Sequence, residues 1–91
     1  MTDQLEMRRR RASFRASHRG TREMDWLLGR YADATLSEMV DPALAVFENL
    51  LQLPDPDLHA WILDPALIDQ HEFAELIATM RTFHKLDQPV T

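Results

Sequence analysis

Thr21-Arg22-Glu23-Met24-Asp25-Trp26-Leu27-Leu28-Gly29-Arg30-Tyr31-Ala32-Asp33-Ala34 is the stretch from which the fold is read. Met24, Leu27, Leu28, Tyr31 and Ala32 recur at i, i+3, i+4, i+7 and i+8, the pattern of one buried face on an α-helix. At about 100° per residue Trp26 points well away from that stripe and shares a side with Glu23 and Arg30, so it is expected to be exposed. Glu23 falls in the first turn, where the helix dipole favours an acid by about 0.3–1 kcal/mol whatever else the residue does.

Directly before this helix, Arg19-Gly20-Thr21-Arg22-Glu23 divides the chain electrically. Residues 1–22 hold seven of the ten basic residues and only Asp3 and Glu6, a balance of +5, whereas residues 23–91 hold three basic and thirteen acidic residues, a balance of −10. A helix is expected over about Met7 to Ser17, with Met7, Arg11, Phe14 and His18 on one side. Ala12, Phe14 and Ala16 also alternate as a strand would, but the absence of β-branched residues and the abundance of Arg and Ala favour helix. Gly20 is expected to end it, with arginines near the negative end of the dipole.

Toward the C-terminus, proline punctuates the chain. Asp41-Pro42 reads as an N-cap followed by proline at the first helical position, and Val40, Ala43, Leu44, Phe47, Leu50 and Leu51 form the apolar face of a helix over about 42–52. Asp55-Pro56 repeats the signal and opens a short helix to about Leu63 that presents Leu58, Trp61 and Ile62, which Asp64-Pro65 ends. Asp69 with Glu72 resembles a capping box, Ile68 can staple against Phe73, and Phe73, Leu76, Ile77, Met80 and Phe83 supply the stripe of a last helix to about His84. The expectation is a small all-α five-helix bundle in a single domain over 7–84, with a flexible N-terminus at 1–6 and a flexible tail at 85–91.

Composition narrows the function classes. A chain of 91 residues buries only roughly 60–65% of its unfolded surface, which leaves little room for a deep enclosed active site and favours a small binding module. It has no cysteine, so no disulfide framework and no thiolate metal site, which fits a reducing compartment with cytoplasm as the default. No run of about 18 apolar residues exists to span a membrane. Arg8 to Arg22 is rich in Arg, Ser and Ala without acids, as a mitochondrial transit peptide is, but runs into the Gly20 turn without a spacer. The net charge of −5 argues against a general nucleic-acid binder, while the basic end can still face an anionic partner.

Candidates for chemistry are few. His71 and Glu75 stand four apart, but zinc-protease spacing needs a second His at 75 and no further ligands are apparent, so a solvated helix face is the favoured reading. Asp55, Asp57 and Asp64 are explained by capping before they are explained as paired general acids or bases. There is no cysteine nucleophile and no Gly-rich phosphate loop, and Ser13, Ser17 and Ser37 lack an elbow context, so the chain is expected not to be an enzyme. Arg8, Arg9, Arg10, Arg11, Arg15, Arg19 and Arg22 form the one strong electrostatic feature, either a solvated basic helix or a surface for carboxylates or phosphates.

Arg19-Gly20-Thr21-Arg22-Glu23 resembles the Arg-Gly-x-x-Glu signature of the succinate dehydrogenase assembly factors, the bacterial SdhE and mitochondrial flavinylation factors. Asp55-Pro56-Asp57-Leu58 with Trp61 is similar to that family's Asp-Pro-Asp-Leu-x-x-Trp segment. The resemblance implies a small five-helix chaperone that binds the flavoprotein subunit of succinate dehydrogenase, and in some bacteria of fumarate reductase, and promotes covalent attachment of FAD to a histidine of that subunit. It implies that the chain itself stably holds no cofactor and no metal. By position the motif carries over to Arg19, Gly20 and Glu23, and Arg15, His18, Arg22 and Trp26 are expected to extend the partner-binding face. The attached histidine is the partner's, so His18, His59, His71 and His84 inherit no such role. The expected compartment is the bacterial cytoplasm, or the mitochondrial matrix in a eukaryote. A second reading is an antitoxin-like regulatory protein that uses the basic helix on another protein or on nucleic acid.

Overall fold

The computed structural model describes residues 4–68 and 71–87. The fold is all-α: five α-helices, α1 (Gln4–Ser17), α2 (Arg22–Thr35), α3 (Ala43–Leu50), α4 (Asp55–Leu63) and α5 (Ala74–Phe83), with 3₁₀ segments at Leu36–Glu38 and Pro65–Ile68 and no strand among the described residues. The chain divides into two compact units, one running to Gln52 and the other starting at Leu53.

In the first unit α2 is built as its periodicity dictates. Met24, Leu27, Leu28, Tyr31 and Ala32 are buried, and Thr21 caps the helix by accepting the Met24 backbone N–H at 3.2 Å. Its partner α1 departs from expectation in three ways. It begins at Gln4, so residues 4–6 are helical rather than a flexible end. Its inward face is Ala12 and Ala16, while Met7 and Phe14 are 54% and 61% exposed. The reason is spacing: a Cβ at Gly29 on α2 would stand 3.3 Å from the Ser17 Cβ and 3.4 Å from its Cα, so the two backbones approach too closely for large side chains. Finally, α1 stops at Ser17 and Gly20 has no positive φ, so Gly20 is not the left-handed cap that ends it.

α3 begins at Ala43 after a cis Asp41-Pro42 peptide. Pro42, not Asp41, occupies the cap position, and the Asp41 carboxylate accepts from Arg8 on α1 as well as interacting with the Ala45 backbone N–H in the first turn of α3. Leu44, Phe47, Leu50 and Leu51 are buried as expected, with the Phe47 ring edge-on to Tyr31 at 5.8 Å, but Val40 is 52% exposed and Ala43 is also outside the core.

The second unit follows its prolines. α4 spans the expected residues, although Pro54 takes the cap position and Asp55 joins Asp57 in the first turn. Leu58 and Ile62 are buried, and Trp61 is half-buried beside His71 and Phe73, at ring separations of 5.3 and 6.5 Å. Asp64, at φ −137° and ψ 84°, has left the helical region as a residue before proline must. The expected capping residue Asp69 lies outside the described residues; α5 starts at Ala74, and the Phe73 backbone N–H ahead of it is accepted by His71 Nδ1 at 3.1 Å. Phe73, Ile77 and Met80 are buried, as is the expected staple residue Ile68, whereas Phe83 is 40% exposed. Arg81 ties α5 to α4 by donating to the Ile62 carbonyl. The part of the expected tail that is described, 85–87, is a hydrogen-bonded turn: the Leu86 backbone N–H donates to the Arg81 carbonyl at 2.8 Å and the Thr82 hydroxyl to Asp87 at 2.9 Å.

The α1/α2 approach predicts that Gly29→Leu lowers the free energy of unfolding by about 1–3 kcal/mol in a urea titration, the usual cost of overpacking. Met7→Ser, on the exposed side of the same pair, should change it by less than about 0.5 kcal/mol.

Candidate functional site

The connection between α1 and α2 is four residues, 18–21, and it is held from both sides. The Arg19 backbone N–H donates to the Asp25 carboxylate in the first turn of α2. The Arg19 guanidinium donates to the Leu51 carbonyl at 2.9 Å, fastening the turn to the end of α3. Arg19 is half-buried in consequence, while Gly20, Glu23, Arg15, Arg22 and His18 are exposed. Trp26 is 50% exposed, with the Arg30 guanidinium 5.7 Å from its ring centre, a cation–π contact of about 0.5–1 kcal/mol at such a surface. The residues expected from the motif thus lie on one continuous segment, from the last turns of α1 to the first turns of α2.

Two features were missed by reading the chain alone. Phe14, assigned to an apolar stripe, lies outside and stacks on His18 with ring centres 3.9 Å apart and 13° between planes. His18 Nδ1 is 2.8 Å from the Phe14 carbonyl, and because a carbonyl only accepts, Nδ1 carries the proton. The helical spacing of residues 14 and 18 was the available signal. Secondly, the arginines divide their work. Arg8 bridges two acids, donating to Asp41 at 2.9 Å through both terminal nitrogens and to Glu48 at 2.7 Å through Nη2 and 3.1 Å through Nε. Arg9 donates to the Met39 carbonyl at 3.1 Å. These two are struts at the surface of the unit, and the guanidinium of Arg8 holds the Asp41 carboxyl below its ordinary range. Arg10, Arg11, Arg15 and Arg22 remain exposed.

Elsewhere the candidate chemistry disperses. His71 gives its Nδ1 lone pair to the Phe73 N–H, and among the described residues no three His, Asp or Glu side chains gather where they could hold a metal ion. Asp55 and Asp57 stand at the start of the nine-residue α4 and Asp64 at its end, so they are separated by roughly 12 Å of helix rather than paired. No helix among the described residues is long and apolar enough to cross a membrane.

The family model described as "Flavinator of succinate dehydrogenase" matches residues 10–84. The chain is 37% identical over 78 residues to a protein of Acetobacter pasteurianus named FAD assembly factor SdhE, covering 86% of this chain and 72% of that one. It is 30% identical over 84 residues to the mitochondrial succinate dehydrogenase assembly factor 2 of Dictyostelium discoideum, covering 92% of this chain and 60% of that one. A third relative, FAD assembly factor SdhE of Idiomarina loihiensis, is 35% identical over 65 residues, or 71% of this chain and 72% of the relative. No solved structure matches the chain.

The Arg8 bridge predicts an acid-sensitive contribution to stability. Asp41 has a depressed carboxyl pKa in the folded chain, so its contribution is present above the ordinary value of 3.8 and is lost as pH falls below that value and through the folded one. Thermal melts taken from neutral pH downward should show wild type converging on Asp41→Asn in acid, with the two separated near neutrality.

Proposed function

We propose that this chain, which belongs to the family of flavinators of succinate dehydrogenase, performs its assembly-factor role by docking the α1/α2 turn on the flavoprotein subunit. The carrying observation is the stiffness of that turn: Arg19 is bound at its backbone and at its guanidinium, Thr21 caps α2, and Gly20, Glu23 and Trp26 are exposed beside them. A segment already ordered loses little conformational freedom on binding, so more of its contact energy appears as affinity. Gly20 admits a close backbone approach by the partner. Glu23 and Arg22 supply charge-assisted hydrogen bonds, with Trp26, His18 and Arg15 widening the face and Arg19 chiefly holding it in shape.

The chemistry of attachment belongs to the partner, whose histidine takes the flavin. This chain contributes position: a helper that holds the flavoprotein where FAD and histidine are aligned lowers the barrier without a catalytic group of its own. We therefore read the chain as a chaperone and not an enzyme, with FAD as a reactant held by the partner and no cofactor or metal bound stably here. The flavoprotein of fumarate reductase is a second substrate of the same kind. The bacterial cytoplasm is the compartment this reading favours, or the mitochondrial matrix in a eukaryote.

Co-expression of the flavoprotein subunit with this chain should give covalent flavin fluorescence in the denatured flavoprotein band, and an empty vector should not. Gly20→Arg and Glu23→Ala should each lower that signal by about tenfold or more, the equivalent of one lost charge-assisted contact or a blocked approach. Equal fluorescence from wild type and both variants would remove these residues from the docking face.

A further inference from the structure

A groove of about 250 Å³ lies between the C-terminal half of α1 and the end of α3, lined by Arg11, Ala12, Arg15, Glu48, Asn49, Leu51 and Gln52. Its chemistry is set by where the charges are spent. Glu48, the acid on its wall, has its carboxylate bound to Arg8, and Arg8 is bound in turn to Asp41. Among the described residues Arg11 and Arg15 form neither hydrogen bond nor ion pair, so the groove keeps two unpaired guanidinium groups, and Glu48 on its wall shares Arg8 with Asp41. Asn49 and Gln52 are exposed on the opposite wall and add carboxamide donors. The Leu51 carbonyl, which could have repelled an anion, already accepts from Arg19.

We infer that this groove receives an acidic segment of the partner flavoprotein, with two carboxylates seated on Arg11 and Arg15. The inference rests on the docking function proposed above and extends it: through the Arg19–Leu51 hydrogen bond the groove is continuous with the α1/α2 turn. Arg11 and Arg15 are one helical turn apart, so the carboxylates to which they donate are spaced roughly 5–6 Å, as acids one turn apart on a helix are. Guanidinium favours this ligand because its planar fork matches a carboxylate bidentately. A long polyanion such as nucleic acid fits less well, because the chain carries a net charge of −5 and seven of its ten basic residues are confined to residues 1–22.

The test uses the full chain, the purified flavoprotein subunit and a binding titration at low salt and at about 0.5 M salt, where surface charge pairs are screened. Arg11→Gln with Arg15→Gln should weaken binding at least about tenfold at low salt and less at high salt, with an unchanged unfolding midpoint. Arg10→Gln, which removes an exposed charge from the same helix outside the groove, should change affinity less than about twofold. In the complex of an Arg11→Lys, Arg15→Lys variant, a carbodiimide should join the introduced amines to aspartates or glutamates of the flavoprotein. Wild-type binding by the double Gln variant, or an equal loss with Arg10→Gln, overturns the groove while leaving flavoprotein docking intact. Crosslinks only between copies of this chain, or binding of a short DNA duplex as tight as that of the flavoprotein, also overturn it. If wild type itself does not bind the flavoprotein, the docking function and the groove fall together.

Discussion

The near contact of two backbones, α1 against α2 at Ser17 and Gly29, is the constraint on which the first unit depends. Ala12 and Ala16 on one helix and Gly29 on the other leave no side chain large enough to hold the axes apart. Small facing residues give up apolar area per residue, but they allow close backbone contact where the helices meet, and packing density governs how strongly an interior resists change. Once the helices lie this close, their connection need only be four residues, and the hydrogen bonds that stiffen it come from the helices themselves. The exposed turn is thus a by-product of the tight crossing. So is the exposure of Phe14 and Met7, for which the inward face has no room.

The arginines of α1 are organised by the same geometry. Those on its flanks toward the rest of the unit, Arg8 and Arg9, are consumed as struts to residues 30 or more positions away, while Arg10, Arg11 and Arg15 face water. The charge division at Gly20 is therefore only partly a division of surfaces. Two of the acids of the later segment, Asp41 and Glu48, share across the unit the single positive charge of Arg8. Each pair taken alone sits at a surface, where screening and side-chain entropy make ion pairs weak; a single guanidinium shared by two carboxylates is more specific because both must be in place to satisfy its donors.

What could be read from the chain follows from how local the deciding physics is. α2 and α4 were legible nearly to the residue, because a 3.6-residue stripe and a proline at either boundary act within a few positions. The inward face of α1 was not, since a face of alanines carries almost no hydrophobic contrast and the eye goes to Met7 and Phe14 instead. Asp41 was read as a cap because capping is the local use of an aspartate before proline; its carboxylate does interact with the Ala45 backbone N–H, but it also accepts from a partner 33 residues upstream, which no window of sequence shows. The start of α5 is a similar case, where the imidazole of His71 accepts a backbone N–H that a Ser or Asp would more often take. In the site, the motif residues were legible as a pattern, yet the pattern does not distinguish a residue that touches a partner from one that shapes the turn. The reach of Arg19 to Leu51, which fastens the turn to the end of α3, is visible only in three dimensions.

A helper of this size has one physical resource, the geometry of its surface. Ordering one flexible backbone residue on binding costs roughly 1–2 kcal/mol, so a docking turn of four residues left loose would forfeit several kcal/mol of contact energy. Here the turn is tied down by a capped helix, an N–H bound to Asp25 and a guanidinium bound to the end of α3. The saving bears on function because a chaperone of covalent attachment must bind well enough to align its partner and then leave. Affinity drawn from a stiff, small face, with charge-assisted contacts that water can reclaim, suits that cycle better than a large apolar interface would. Under the docking proposed above, a chain with so few residues suited to chemistry acts on a chemical step through arrangement, and arrangement is what a rigid turn supplies.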